Sequence, residues 1–166
     1  MTFGGQTDEA SATRMIDLCK EAGINFLDTA NVYNKGASEE MLGRVLGTHR
    51  RDFILASKVR NKMGDAPDQA GLSRAAILRA IDDSLRRLRT DYLDLYYLHL
   101  PDYRVPIEES LDAMNEVVKQ GKVRYLASSN YSAWQMTEMF GIAQRKGYQA
   151  PWVAQPMYNL IARGIE

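Results

Sequence analysis

The sequence predicts an alternating α/β fold in which parallel strands are separated by helices, and three observations carry that reading. Apolar runs of strand length recur at Ile24 to Leu27, Phe53 to Ala56, Leu93 to Leu98, Val123 to Ala127 and Trp152 to Ala154. Segments of helical length, with their own start and stop residues, lie between them. Each run also hands over to polar residues at the same end: Asp28 and then Tyr33; Ser57 and Lys58; His99; Ser128, Ser129 and Asn130; Gln155. Parallel strands joined by helices gather their C-terminal ends on one face, and α/β barrels carry their chemistry there.

Residues 1 to 6, M-T-F-G-G-Q, read as the exit of a strand whose body is absent. Thr7 or Asp8 caps a helix carrying Ala12, Met15, Ile16 and Cys19 on one side, and Gly23 suits its stop. After the first full strand and a polar loop, Ser38 is placed to cap a helix. Its first turn holds Glu39 and Glu40, where the helix dipole favours acids; Met41, Leu42, Val45 and Leu46 form its buried stripe, and Gly47 ends it. Strand Phe53 to Ala56 leads into the longest irregular stretch, Val59 to Leu72, with Gly64, Pro67 and Gly71. Long loops at this face usually shape a binding site. Ser73 then caps a helix lined by Ile77, Ile81, Leu85 and Leu88. Pro106 opens the next, with Glu108 and Glu109 early, Lys119 late and Gly121 closing. Ser132 caps a last helix bearing Met136, Met139, Phe140 and Ala143, and Gly147 ends it.

A chain of 166 residues, 45% of them apolar, suits one domain spanning residues 1–166. The formal net charge is zero, with no basic run, so neither nucleic acid nor an anionic membrane is expected as partner. The lone Cys19 excludes an internal disulfide framework and suits a reducing compartment. No run approaches the roughly 18 apolar residues of a membrane span, and nothing at the N-terminus resembles a signal peptide. The cytoplasm is the expected location. A closed barrel needs eight strands and typically about 250 residues. With five complete strands in view, the chain is either a fragment or an open sheet with two unpaired edges, which invite pairing with a second copy.

Asp28, Tyr33, Lys58 and His99 form a chemically coherent set at these strand ends. A free phenol has a pKa of about 10, and a nearby ammonium favours the phenolate. Lys58 is a candidate for that cation, Asp28 for the carboxylate that holds it, and His99 for a hydrogen bond to a substrate oxygen. Such a set would polarise and protonate a carbonyl. Each residue has an ordinary alternative: a turn cap for Asp28, a half-exposed loop tyrosine, a solvated lysine, a structural histidine. Their matched positions on successive strands favour the joint reading. A metal-dependent hydrolase is disfavoured and no metal site is expected, because His49 and His99 are the only histidines.

The runs D-T-A-N-V-Y at 28–33, A-S-K at 56–58, L-Y-Y-L-H at 95–99, S-S-N-Y at 128–131 and V-A-Q at 153–155 resemble the aldo-keto reductases. These are NADPH-dependent (β/α)8-barrel enzymes that reduce aldehydes and ketones. M-T-F-G-G-Q-T-D-E, G-L-S-R at 71–74 and S-N-Y-S-A-W at 129–134 are similar to the branch holding aryl-alcohol dehydrogenases and potassium-channel beta subunits. The resemblance implies a partial (β/α)8 TIM barrel of about five complete βα units, with the first and last two strands missing. It implies a catalytic tetrad of Asp28, Tyr33, Lys58 and His99, with Tyr33 the proton donor. Ser129, Asn130 and Gln155 match positions that hydrogen-bond the nicotinamide carboxamide, and Gln6 and Asp28 match positions near the cofactor. His99 departs from the channel subunits, which favours an enzyme over a regulator. The loops that grip the cofactor phosphates belong to the missing strands, and the absence of G-x-G-x-x-G is neutral, since this family does not use that motif.

Overall fold

The structure is a computed structural model, and it describes residues 2–166; Met1, the first residue of the expected strand exit, lies outside the described residues. Strands β1 (Phe26–Asp28), β2 (Ile54–Val59), β3 (Leu93–Leu98), β4 (Val123–Ser129) and β5 (Val153–Gln155) form one sheet in chain order, every neighbouring pair parallel. Helix α1 (Glu9–Glu21) precedes β1, and α2 (Ala37–Leu46), α3 (Arg74–Leu88), α4 (Ile107–Lys119) and α5 (Ala133–Lys146) make the successive crossovers. The result is a curled half-barrel, five strands of a (β/α)8 architecture.

Most helix signals act as read. The Asp8 carboxylate accepts from Ser11 N at 2.7 Å, which settles the α1 cap in favour of Asp8 over Thr7. Ser73 accepts from Ala76 N at 3.3 Å, and Ser132 and Gln135 form a reciprocal capping box on α5. Ser38 does not cap. Helix α2 starts two residues earlier than a Ser38 cap would place it, behind Gly36 with φ of 96°, and Ser38 is buried in the first turn, its hydroxyl 2.9 Å from that of Thr29. Gly36 is required twice over, by that φ and because a Cβ would lie 2.9 Å from Arg87 Cδ.

Strand boundaries moved more than helix boundaries. β1 begins at Phe26, and β2 and β4 run on through Val59 and Ser129, so Ser57 and Lys58 are strand residues and do not open a loop. The apolar signal ended at Ala56 because the side chains turned polar, while the backbone ladder continued to pair Ser57 with Tyr96 and Lys58 with Tyr97. Strand alternation sends Ser57 to the helix layer and Lys58 to the inner face.

The main core lies between sheet and helices: Leu55, Val59, Tyr96, Leu98 and Leu126 meet Leu42, Leu46, Ile77, Ile81, Leu111, Met114 and Met139. A small inner cluster holds Ala56, Leu95, Tyr97 and Ala127. By register, Phe26, Ile54, Tyr125 and Val153 share that inner face and are exposed, and among the described residues β1 and β5 each pair on one side only. Among the described residues, no helix is long and apolar enough to cross a membrane.

Candidate active site

Asp28 ends β1, Lys58 is the penultimate residue of β2, His99 directly follows β3, Ser129 ends β4 and Gln155 ends β5. Alternation puts all of them on the inner face, because Lys58 is the register partner of Tyr97 and Ser129 of Gln155. The parallel sheet therefore gathers at one mouth what the sequence spreads over more than a hundred positions.

Lys58 is fully buried. Its Nζ donates to Asp28 Oδ2 at 2.5 Å and to the Thr29 carbonyl at 2.9 Å, so the ammonium has two fixed acceptors. The aromatic rings of Tyr33 and Tyr97 flank it, their centroids 5.3 and 5.4 Å from Nζ. Tyr33 comes from a short 3-10 turn, Tyr33–Gly36, in which Asn34 and Lys35 take left-handed φ of 48° and 53°. The Asn34 amide donates to Phe3 O at 2.7 Å, tying this turn to the N-terminal segment. The Tyr33 ring then stands edge-on to His99, centroids 5.9 Å apart. Asp28, Tyr33, Lys58 and His99 are thus brought together.

The electrostatics correct one expectation. Lys58 was expected to pull the Tyr33 phenol down, but burial, with the Asp28 carboxylate adding to it, pushes that phenol above its ordinary value. Burial also lowers Lys58, against the opposing pull of its bond to Asp28. His99 is held down at about 4 by burial first and by Lys58 next, so at neutral pH it is an uncharged imidazole. Tyr97 is pushed up to about 12 by burial and by Asp28.

Ser129 and Asn130 line the other half of the mouth. Asn130 adopts a left-handed φ of 62°, which asparagine tolerates better than most residues. Its amide donates to His99 O at 3.1 Å and to Ser129 Oγ at 2.9 Å, and Ser129 Oγ donates onward to Gln155 O at 2.9 Å. Gln155 is half-buried, and among the described residues its side chain makes no hydrogen bond. Gln6 sits exposed on the turn between Phe3 and Thr7 and joins none of these bonds. Among the described residues, no group of three or more His, Cys, Asp or Glu is placed to hold a metal ion.

Sequence reading passed over three contributors. Tyr97 lies two residues before His99 and so shares its face, a signal that was present in L-Y-Y-L-H. Glu39 is fully buried behind β2, where it accepts from Ser57 Oγ at 2.5 Å and from Arg87 Nε at 2.7 Å. Its position three and seven residues before Leu42 and Leu46 places it on the apolar stripe, which would have shown it facing inward. Asn61, whose amide nitrogen lies 3.4 Å from His99 Nδ1, comes from the irregular loop and had no pattern to reveal it.

A family model described as "Aldo/keto reductase family" matches residues 1–166. The chain is 41% identical over 166 residues to a "Probable voltage-gated potassium channel subunit beta" of Oryza sativa subsp. japonica, covering 98% of this chain and 50% of the relative. A protein of the same name from Arabidopsis thaliana is 42% identical, with the same coverage. An "Uncharacterized oxidoreductase YrpG" of Bacillus subtilis is 36% identical over 177 residues, covering 100% of this chain and 54% of the relative. The chain spans about half the length of these relatives. With the model matched from end to end and such identities over nearly all its residues, this chain belongs to the aldo/keto reductase family.

Proposed function

We propose that the chain carries the catalytic half of an NADPH-dependent reductase that converts aldehydes or ketones to alcohols. The observation that carries this reading is the convergence of Tyr33, Lys58, Asp28 and His99 at one mouth of the half-barrel. Tyr33 is the proton donor. Its raised pKa keeps the phenol protonated at neutral pH, which an acid requires, and the Lys58 ammonium 5.3 Å from the ring centroid favours the anion once the proton has left. Asp28 and the Thr29 carbonyl fix Lys58 and balance its charge. His99, uncharged, hydrogen-bonds the substrate oxygen and orients the carbonyl against Tyr33.

The residues at the ends of β4 and β5 fit a nicotinamide carboxamide, which needs both a donor and an acceptor. The uncommitted Gln155 side chain offers both and Asn130 Oδ1 adds an acceptor, while Ser129 is spent orienting the two strands. Bound there, a reduced nicotinamide supplies the hydride. The substrate class we favour is an aryl or small aliphatic aldehyde, with the loop from Val59 to Leu72 forming one wall.

A second reading takes its support from the names of the plant relatives: a binding subunit that associates with another protein and turns nothing over. One experiment separates the two. The purified chain is titrated with NADPH, followed by the fluorescence of Trp134 and Trp152, and then assayed with aldehydes. The expected result is saturable binding, with Tyr33→Phe lowering turnover by about 10²–10⁴-fold and leaving cofactor binding in place. A fully active Tyr33→Phe variant would remove Tyr33 as donor, and a folded chain that binds NADPH without turnover would favour the subunit reading.

A further inference from the structure

We propose that Asn61 is a positioning residue that holds His99 in the tautomer protonated on Nε2, so that His99 offers the substrate a donor and not an acceptor. The catalytic consequence rests on the reductase reading above, whereas the tautomer itself does not. The Asn61 amide nitrogen lies 3.4 Å from His99 Nδ1. An amide NH2 only donates, so the ring nitrogen facing it must carry the lone pair, and a neutral imidazole then has its single proton on Nε2. His99 is neutral because of what surrounds it: burial and the cations of Lys58 and Arg60 outweigh the Asp28 carboxylate, and the remaining ring neighbour, Tyr33, is uncharged.

Both partners are held in place. The His99 backbone N–H donates to Val59 O at 3.0 Å, and its carbonyl accepts from Asn130 at 3.1 Å. The loop is tied on each side of Asn61, by Gly71 N to Arg60 O at 2.8 Å and by Met63 N to Gln69 O at 2.8 Å. Tautomer choice at a histidine is generally set by the hydrogen bond of its second nitrogen. Here a carboxamide from the substrate-side loop makes that bond, while every other polar group named around the ring acts through charge or through the backbone.

The test reads the tautomer directly. The chain has two histidines, so two-bond ¹H–¹⁵N correlation spectra of ¹⁵N-histidine-labelled protein contain two ring systems, and His49→Gln assigns them. The expected parent spectrum shows His99 with a proton on Nε2 and a bare Nδ1. Free imidazole already leans toward that form, so the decisive variant is Asn61→Asp. Its carboxylate accepts only, which should move the proton to Nδ1 and make His99 titrate at a higher pH than in the parent. Asn61→Leu, which neither donates nor accepts, should give a mixture of tautomers. A parent His99 protonated on Nδ1, or an Asn61→Asp chain with the tautomer and titration of the parent, overturns the proposal. A chain that reduces no carbonyl would sink the reductase reading and leave these spectra decisive for Asn61.

Discussion

At the residue scale, His99 makes the fold sensitive to acid. Its pKa is about 4 in the folded chain against an ordinary 6.5, so between those values the unfolded chain binds the proton and the folded one does not. Stability rises with pH wherever the unfolded state holds more protons. The folded chain should therefore lose stability as pH falls from about 6.5 to about 4, and His99→Gln should flatten that part of the curve. Urea midpoints measured across this window check it; a slope unchanged in His99→Gln would assign the loss to other groups. Tyr33 follows the same physics with the opposite outcome for chemistry. Burial and Asp28 raise it, so the phenol keeps its proton at neutral pH, as the proposed donor role requires. Sequence alone placed Asp28, Lys58 and His99 at the C-terminal ends of apolar runs, because the change from apolar to polar is written in the order of residues. The direction of the Tyr33 shift was not legible, since it depends on how deeply a ring is buried by segments distant in the chain.

At the element scale, the register of α2 and α3 against β2 is fixed by a buried ion pair. Glu39 is 0% exposed and the Arg87 side chain 13%, with Nε 2.7 Å from Oε2, and Ser57 supplies the remaining hydrogen bond to the carboxylate. Removing one partner of such a pair leaves an uncompensated charge in the interior and typically costs about 3–5 kcal/mol. Domains of this kind hold only about 5–15 kcal/mol in total. Arg87→Met should accordingly bring the chain close to unfolding at room temperature, and Glu39→Met combined with Arg87→Met should be the more stable of the two. Denaturant titration of both variants decides it; equal losses would mean that Arg87 acts through packing against Gly36 and not through charge. The same pair shows why element positions were more legible than their ties. Caps such as Asp8, Ser73 and Ser132 act within one turn and are visible locally. Ser38 misled because Thr29, nine residues away, claims its hydroxyl in the interior. A second tie of this kind joins strand starts: Arg50 reaches Asp94 at 2.8 Å, Asp94 accepts from Leu55 N at 2.9 Å, and Arg124 meets the same carboxylate at 2.9 Å. Asp94→Asn should weaken the fold while leaving the site at the opposite strand ends intact, so the denaturant midpoint falls and NADPH affinity does not.

At the scale of the whole molecule, five parallel strands curl without closing, and that geometry leads to a prediction about its behaviour in solution. Among the described residues, edge strands β1 and β5 each leave one side of the backbone ladder unpaired, a template for further pairing. The inner face adds apolar surface that a closed barrel would cover: Phe26 is 42% exposed, Ile54 38% and Tyr125 58%. After β5, Met157, Tyr158, Leu160 and Ile161 stand open to solvent as well. Contiguous apolar surface of this kind marks contact sites. The isolated 166-residue chain should therefore associate with itself in a concentration-dependent way. Sedimentation velocity over a wide range of concentration measures it directly. Tyr125→Lys places a charge on the exposed part of the inner face and should shift the distribution toward monomer without disturbing the helix-facing core, because Tyr125 takes no part in that core. A monomer that stays cooperatively folded at every concentration would show that the concave face and the β1 and β5 edges tolerate water, and the apolar inner layer would then need another explanation than contact.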